Sequence, residues 1–226
     1  MEKLLDTYFT DAHLYFSEDE LLSYGHFFEE SILNRYLNNL DESNFSSFIF
    51  KRTVPSFEEE IIVQHSEIWQ MHHDFIQRLA KINPQDARDF IRNFFMERPF
   101  SELLIILGQR LTPASVQTIV AVPPELDTLL AQAFKPYNTE IKTAVRAWEK
   151  HVGRNETGFW GKIDGTPHEK EEHVKTLVSR IMDNHNWWNV FGHFKHGNVY
   201  EIRVESGHGL RWSIDHNKFI GFVEPF

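Results

Sequence analysis

Seven residues near the C-terminus, Val199-Tyr200-Glu201-Ile202-Arg203-Val204-Glu205, alternate between two faces without a break. Val199, Glu201, Arg203 and Glu205 fall on one side; Tyr200, Ile202 and Val204 fall on the other. A period of two in β-branched and aromatic residues is that of a half-buried strand. Ser206-Gly207-His208-Gly209 follows, with two glycines that tolerate positive φ and let the chain reverse. Leu210-Arg211-Trp212-Ser213-Ile214 then alternates again, Asp215-His216-Asn217-Lys218 is polar and turn-like, and Phe219-Ile220-Gly221-Phe222-Val223 makes a third apolar run. Short connections between neighbouring strands predict a three-stranded antiparallel meander.

A small sheet with one apolar face needs a cover. The segment before it supplies one: Val174, Leu177, Val178, Ile181 and Met182 recur at helical spacing within residues 168–183. Thr166 reads as the N-cap of that helix, Pro167 as its first residue, and Glu169 sits in the first turn, where it complements the helix dipole. A helix followed by a meander makes an α+β unit, and Lys135-Pro136-Tyr137-Asn138 is the natural boundary before it. The expected organisation is an acidic all-helical region over 1–138 and an α+β domain over 139–226.

Upstream, apolar residues recur at helical intervals between breakers. Leu4, Leu5, Tyr8 and Phe9 form a stripe, and Ser17 with Glu20 has the spacing of a capping box. Residues 45–50 suit either a strand or a helix. Ser56 is expected to cap a long helix from Phe57 to Ile82. Further helices are expected over 85–96, 102–111 (capped by Ser101), 114–120, 125–134 and from Thr139 onward. His65 and His72 lie seven apart on the long helix, whereas a helix-borne metal pair needs spacing of four, so packing is the expected use.

Charge separates the two parts. Residues 1–138 carry 21 Asp and Glu against 11 Lys and Arg, while residues 139–226 carry 12 of each. An acidic surface repels phosphate backbones, so any RNA contact belongs to the C-terminal part. There is no cysteine, hence no disulfide framework and no thiolate chemistry. The longest apolar run, Leu103 to Leu107, is far short of a membrane span, and the first residues lack the pattern of a secretory signal; a cytoplasmic protein without membrane contact is expected. Gly158, Gly161 and Gly165 do not fall in the order of a phosphate-binding loop, and no cofactor is expected.

The residues that could carry chemistry gather at the end of the chain. His193, His196, His208 and His216 fall at edges or turns of the meander, and imidazole is the commonest general base. Arg203 and Arg211 lie on adjacent strands, with Glu201 on the face of Arg203. Such a surface can hold a phosphate, abstract a proton and stabilise charge; it can equally be a set of ion pairs on a solvent-exposed sheet face. Trp188, Trp212 and Tyr200 are candidate stacking residues for a bound ligand. If the protein has an active site, it is expected where the 192–197 loop meets the 206–209 turn.

The run of Tyr200, Glu201, Arg203, Gly207, Gly209, Arg211, Gly221 and Phe222 resembles the last strands of RelE/HigB-type ribonuclease toxins. The resemblance implies that Arg203, Arg211 and one of His193, His196 or His208 act on an RNA 2′-hydroxyl and its scissile phosphate without a metal. Two readings follow. One is a binding or regulatory protein whose C-terminal surface, including Glu201, Tyr200, Trp188 and Trp212, recognises another protein or a small ligand. The other is a metal-independent endoribonuclease masked by the acidic helical region. The negative charge favours the first.

Overall fold

The computed structural model of the protein describes residues 8–9, 15–154 and 158–225, which leaves Leu4 and Leu5 of the N-terminal stripe outside it. Nine α-helices and one four-stranded antiparallel sheet are found among these residues. The chain divides into two compact units: residues up to Arg52 with Ile61–Leu111 and Val116–Val122 form one, and Thr53–Glu60, Thr112–Ser115 and Pro123–Phe226 form the other.

The first unit is helical: α1 (Glu18–Tyr24), α2 (Glu30–Asn39), α3 (Phe45–Phe50), α4 (His65–Leu79), α5 (Pro84–Met96) and α6 (Phe100–Leu107). The capping box before α1 forms as its spacing implies: Ser17 N–H donates to Glu20 at 2.7 Å and Glu20 N–H to the Ser17 hydroxyl at 3.3 Å. Residues 45–50 are helical. The core is a cluster of rings in which Tyr24, Phe27, Phe28, Phe95 and Phe100 pack edge-on or tilted. The fully buried His72 accepts or donates a 2.8 Å hydrogen bond with Tyr36 and stands 3.6 Å from Glu102. Helix α6 stops at Gly108, whose φ of 113° closes the turn that other residues would resist.

Four upstream expectations are corrected. The long helix begins at His65 rather than Phe57, because residues 53–60 belong to the other unit, where the Phe57 ring packs on Trp187 at 4.9 Å. Tertiary contact overrides helical period here. Residues 114–120 form no α-helix: Thr112 N–H donates to the Ser115 hydroxyl at 2.7 Å, a local turn that competes with the helix. The helix expected from Thr139 begins at Thr143, since Asn138 Oδ1 accepts the N–H groups of Glu140 and Ile141 and holds a turn. Helix α6 also starts at Phe100, before Ser101 can cap it.

The second unit contains α7 (Leu126–Ala133), α8 (Thr143–Val152) and α9 (Pro167–Asp183), then β1 (Trp187–His193), β2 (Gly197–Arg203), β3 (Gly209–Ser213) and β4 (Lys218–Val223) in the order β1-β2-β3-β4. The fold is α+β, with one strand more than expected. Helix α9 starts at the Thr166–Glu169 capping box and buries Val174, Leu177, Val178, Ile181 and Met182. It packs on β2 and β3, while α7 and α8 pack on β4. The sheet face beneath the helices carries Trp188, Val190, Tyr200, Ile202, Leu210, Trp212 and Phe222, all buried. Each such ring or aliphatic side chain contributes roughly 1.5–3 kcal/mol by burial.

The opposite face pairs Trp187 with Arg203, Asn189 with Glu201 and Arg211, and Phe191 with Val199 and Ser213. It is not the solvent face that the alternation implies. Glu201 is 0% exposed and Arg203 is 2% exposed. Phe57 covers Trp187 and Arg203. Residues 112–115 lie beside β1: Gly192 N–H donates to Ala114 O at 3.2 Å, and Asn189 donates to the hydroxyls of Ser115 at 2.7 Å and Thr112 at 3.3 Å. The buried Asn189 amide is thereby satisfied.

Candidate functional site

Consecutive turns of a meander lie at opposite ends of their strands, and this separates the expected site into two. The β1–β2 turn (194–196) and the β3–β4 turn (214–217) share one end of the sheet; the β2–β3 turn (204–208) lies at the other. The seven residues of β2 span roughly 20 Å at 3.3 Å each. The 192–197 loop therefore does not meet the 206–209 turn, and His208 is not beside His193 or His196.

The far end is a clasp around the chain near its C-terminus. Glu224 accepts a hydrogen bond from Trp160 Nε1 at 2.7 Å and pairs with His151 Nε2 at 2.8 Å, with His208 Nε2 at 3.4 Å. Burial alone would raise the Glu224 carboxyl, but these hydrogen bonds and the nearby imidazoles hold it below its ordinary value. The His208 ring lies flat on Phe159, 3.8 Å apart at 3°, and burial lowers its pKa against the pull of Glu224. Arg203 Nη1 donates to the carbonyls of Gly207 and Glu224, each at 2.6 Å. Arg203 and His208 thus tie a turn to the last residues; neither stands open to a substrate.

Between the ends, Glu201 accepts from Nε of both Arg203 and Arg211 at 2.5 Å. A fully buried carboxylate between two guanidiniums satisfies its desolvation by pairing. Arg203 is sealed in, while the Arg211 side chain keeps 21% exposure. Its Nε is committed to Glu201 and its guanidinium stands over Phe191 at 5.6 Å.

The end of the sheet with the β1–β2 and β3–β4 turns gathers two imidazoles. The rings of His193 and His196 are 4.9 Å apart. Both imidazoles are held below their ordinary pKa, first by partial burial and then by neighbouring positive charge: Arg211 and Lys195 act on His193, with Glu201 opposing, and His193, Lys195, Arg211 and Lys218 act on His196. His193 Nδ1 accepts the Lys195 backbone N–H at 3.2 Å, so its neutral ring carries the proton on Nε2. Ser213 Oγ donates to His196 O at 2.9 Å and accepts His216 N–H at 3.2 Å, which knits the two turns together. Beside them lies a hollow of about 240 Å³ lined by His196, Ser213, His216, Lys218, Phe219 and Ile220. Asp215 is the acidic group of these turns, and it is folded back onto the Asn198 N–H at 2.8 Å.

Of the expected site residues, His193, His196 and Arg211 come together; Arg203 and His208 lie elsewhere. Trp188, Tyr200 and Trp212 are 1–2% exposed beneath the helices and form core rather than a stacking platform. Phe194 at this end of the sheet is exposed and was not singled out from the sequence, although an aromatic inside the polar turn His193-Phe194-Lys195-His196-Gly197 breaks the usual turn pattern. His151, Trp160 and Glu224 were also missed, since nothing local relates positions so far apart.

Residues 130–224 match the family model described as the CdiA C-terminal tRNase toxin domain. Among solved structures, the toxic C-terminal tip of CdiA from Pseudomonas aeruginosa, in complex with an immune protein, is similar over 42% of this chain and 99% of that one, with 26% identity and a TM-score of 0.36. No curated protein matches the chain. The family matched is a toxin nuclease, as the sequence resemblance implied, but it is not RelE/HigB. The C-terminal region that holds both clusters is toxin-nuclease-like.

Proposed function

We propose that the C-terminal region is a ribonuclease toxin domain that cleaves RNA, with tRNA as its substrate class, at the end of the sheet formed by His193, His196 and Arg211. The observation that carries this reading is the pair of imidazoles 4.9 Å apart, next to Arg211, within the residues that match the tRNase toxin family. The family match favours catalysis over the purely binding role. Among the described residues no three His, Cys, Asp or Glu side chains converge as metal ligands, and the reading draws its acid–base chemistry from imidazole.

In this reaction His196, neutral at pH 7, takes the proton of the RNA 2′-hydroxyl. The 2′-oxygen bonds to phosphorus as the bond to the 5′-oxygen breaks, and that oxygen leaves with a proton from water. His193 donates from Nε2, and Arg211 offers its Nη groups, to the charge that grows on the phosphate oxygens. Lys195 and Lys218 draw the backbone in. The products are a 2′,3′-cyclic phosphate and a 5′-hydroxyl end.

The test is cleavage of purified tRNA in the presence of chelator. His196→Ala is expected to lower kcat by about 10²–10⁴-fold, and His208→Ala to leave it within a few-fold of the parent. A loss on His208→Ala in a folded protein, with none on His196→Ala, would overturn the assignment. The rate should fall as His196 protonates, at a pH lower than that of an ordinary imidazole, because its pKa is lowered.

A further inference from the structure

Phe194 is 97% exposed at the tip of the β1–β2 turn. Its ring lies nearly parallel to His193, with centroids 4.9 Å apart at 21°, and His193 in turn stands 4.9 Å from His196 at 30°. Three rings thus run in series from solvent to the proposed base. At 97% exposure the ring buries almost no apolar surface, so the core gains little from it. Its neighbours are cationic: Lys195 beside it in the turn, then Arg211 acting on both imidazoles and Lys218 acting on His196.

We propose that Phe194 is a stacking platform for one unpaired nucleobase, which positions the adjoining phosphate over His193, His196 and Arg211. Every base has a π-face, and an aromatic side chain flanked by basic residues is how proteins hold single-stranded nucleic acid. Bases inside an A-form helix are stacked on one another and their faces are not available, so the substrate must present a loop, bulge or end at the cleavage point. The inference rests on the RNA-cleaving reading of this end of the sheet and deepens it: it makes Phe194 a positioning residue that selects single-stranded over paired nucleotides.

The experiment uses the full chain and a short single-stranded 2′-O-methyl oligoribonucleotide carrying 2-aminopurine, which cannot be cut through its 2′-oxygen. The parent and Phe194→Trp should bind it with quenched fluorescence. Phe194→Ala and Phe194→Leu should bind about ten- to a hundredfold more weakly, without the quench, while circular dichroism stays unchanged. The same oligonucleotide in a duplex should bind like the alanine variant. Equal affinity and equal quenching for Phe194→Ala would overturn the proposal and leave the exposed ring as a contact for a protein partner. The two readings separate cleanly. If the parent cleaves tRNA and Phe194→Ala does so with unchanged KM, stacking falls and the ribonuclease stands. If the parent quenches 2-aminopurine through Phe194 yet cleaves nothing, the catalytic assignment falls and the platform stands.

Discussion

Two arginines eight residues apart in sequence share one carboxylate and differ in what they can do. Arg203 is enclosed by Glu201, two backbone carbonyls, Phe57 and Trp187. Arg211 shares Glu201 but keeps an open side. Replacing Arg203 with alanine leaves Glu201 half-paired in a buried site, strips two carbonyls of their donor and should cost about 3–5 kcal/mol. Urea denaturation checks this, with Arg211→Ala as the milder comparison; an unchanged midpoint for Arg203→Ala would show that the buried pair is not needed. The pattern of alternation placed Arg203 and Glu201 on one face, with Arg211 on the adjacent strand. It could not tell that Thr53–Glu60 and Thr112–Ser115 lie against that face, more than seventy residues away in sequence.

Elements were legible where their signals were local. The capping boxes at Ser17 and Thr166, the apolar stripe of α9 and strands β2 to β4 all follow from neighbouring residues. Strand β1 escaped because Trp187, Trp188, Val190 and Phe191 are apolar on both faces, with Asn189 as the one interruption among them. Helix α4 carries a different consequence. Burial, helped by the charges of Arg52 and Arg110, lowers His65 from 6.5 to about 4, and burial lowers His72 as well, against Glu102. Between those values the unfolded chain binds the protons that the folded helix refuses, so stability rises with pH. The contribution is complete above about pH 6.5 and is lost as the pH falls toward about 4. For the partly exposed His65 it is on the order of 1 kcal/mol after solvent screening. Urea midpoints at pH 7 and pH 5 should therefore differ less in His65→Gln than in the parent; an equal difference would remove His65 as a cause.

At the scale of the whole molecule, the net charge of −10 opposes RNA while a balanced C-terminal region admits it. Contact with RNA is then carried by a few local cations rather than by a broad basic surface. If Lys195, Arg211 and Lys218 are the three that neutralise phosphates, log affinity for single strands should fall with log salt at a slope of about −2. A titration at several salt concentrations reads this directly. A slope several times steeper would place the RNA on a surface far from this end of the sheet. No helix among the described residues is long and apolar enough to cross a membrane.

The pairing of Ser115 with Phe191 and of Phe57 with Trp187 also bears on the order in which the chain folds. The meander and α9 form from contacts close in sequence, which close quickly, whereas Phe57 and Ser115 must close long loops to reach β1, at an entropic cost that local contacts do not bear. The four strands are thus expected to assemble first, with one face briefly uncovered, and the two distant segments to settle on it last. For a short interval during its own folding, the protein displays Glu201 and Arg203 as it never does afterwards.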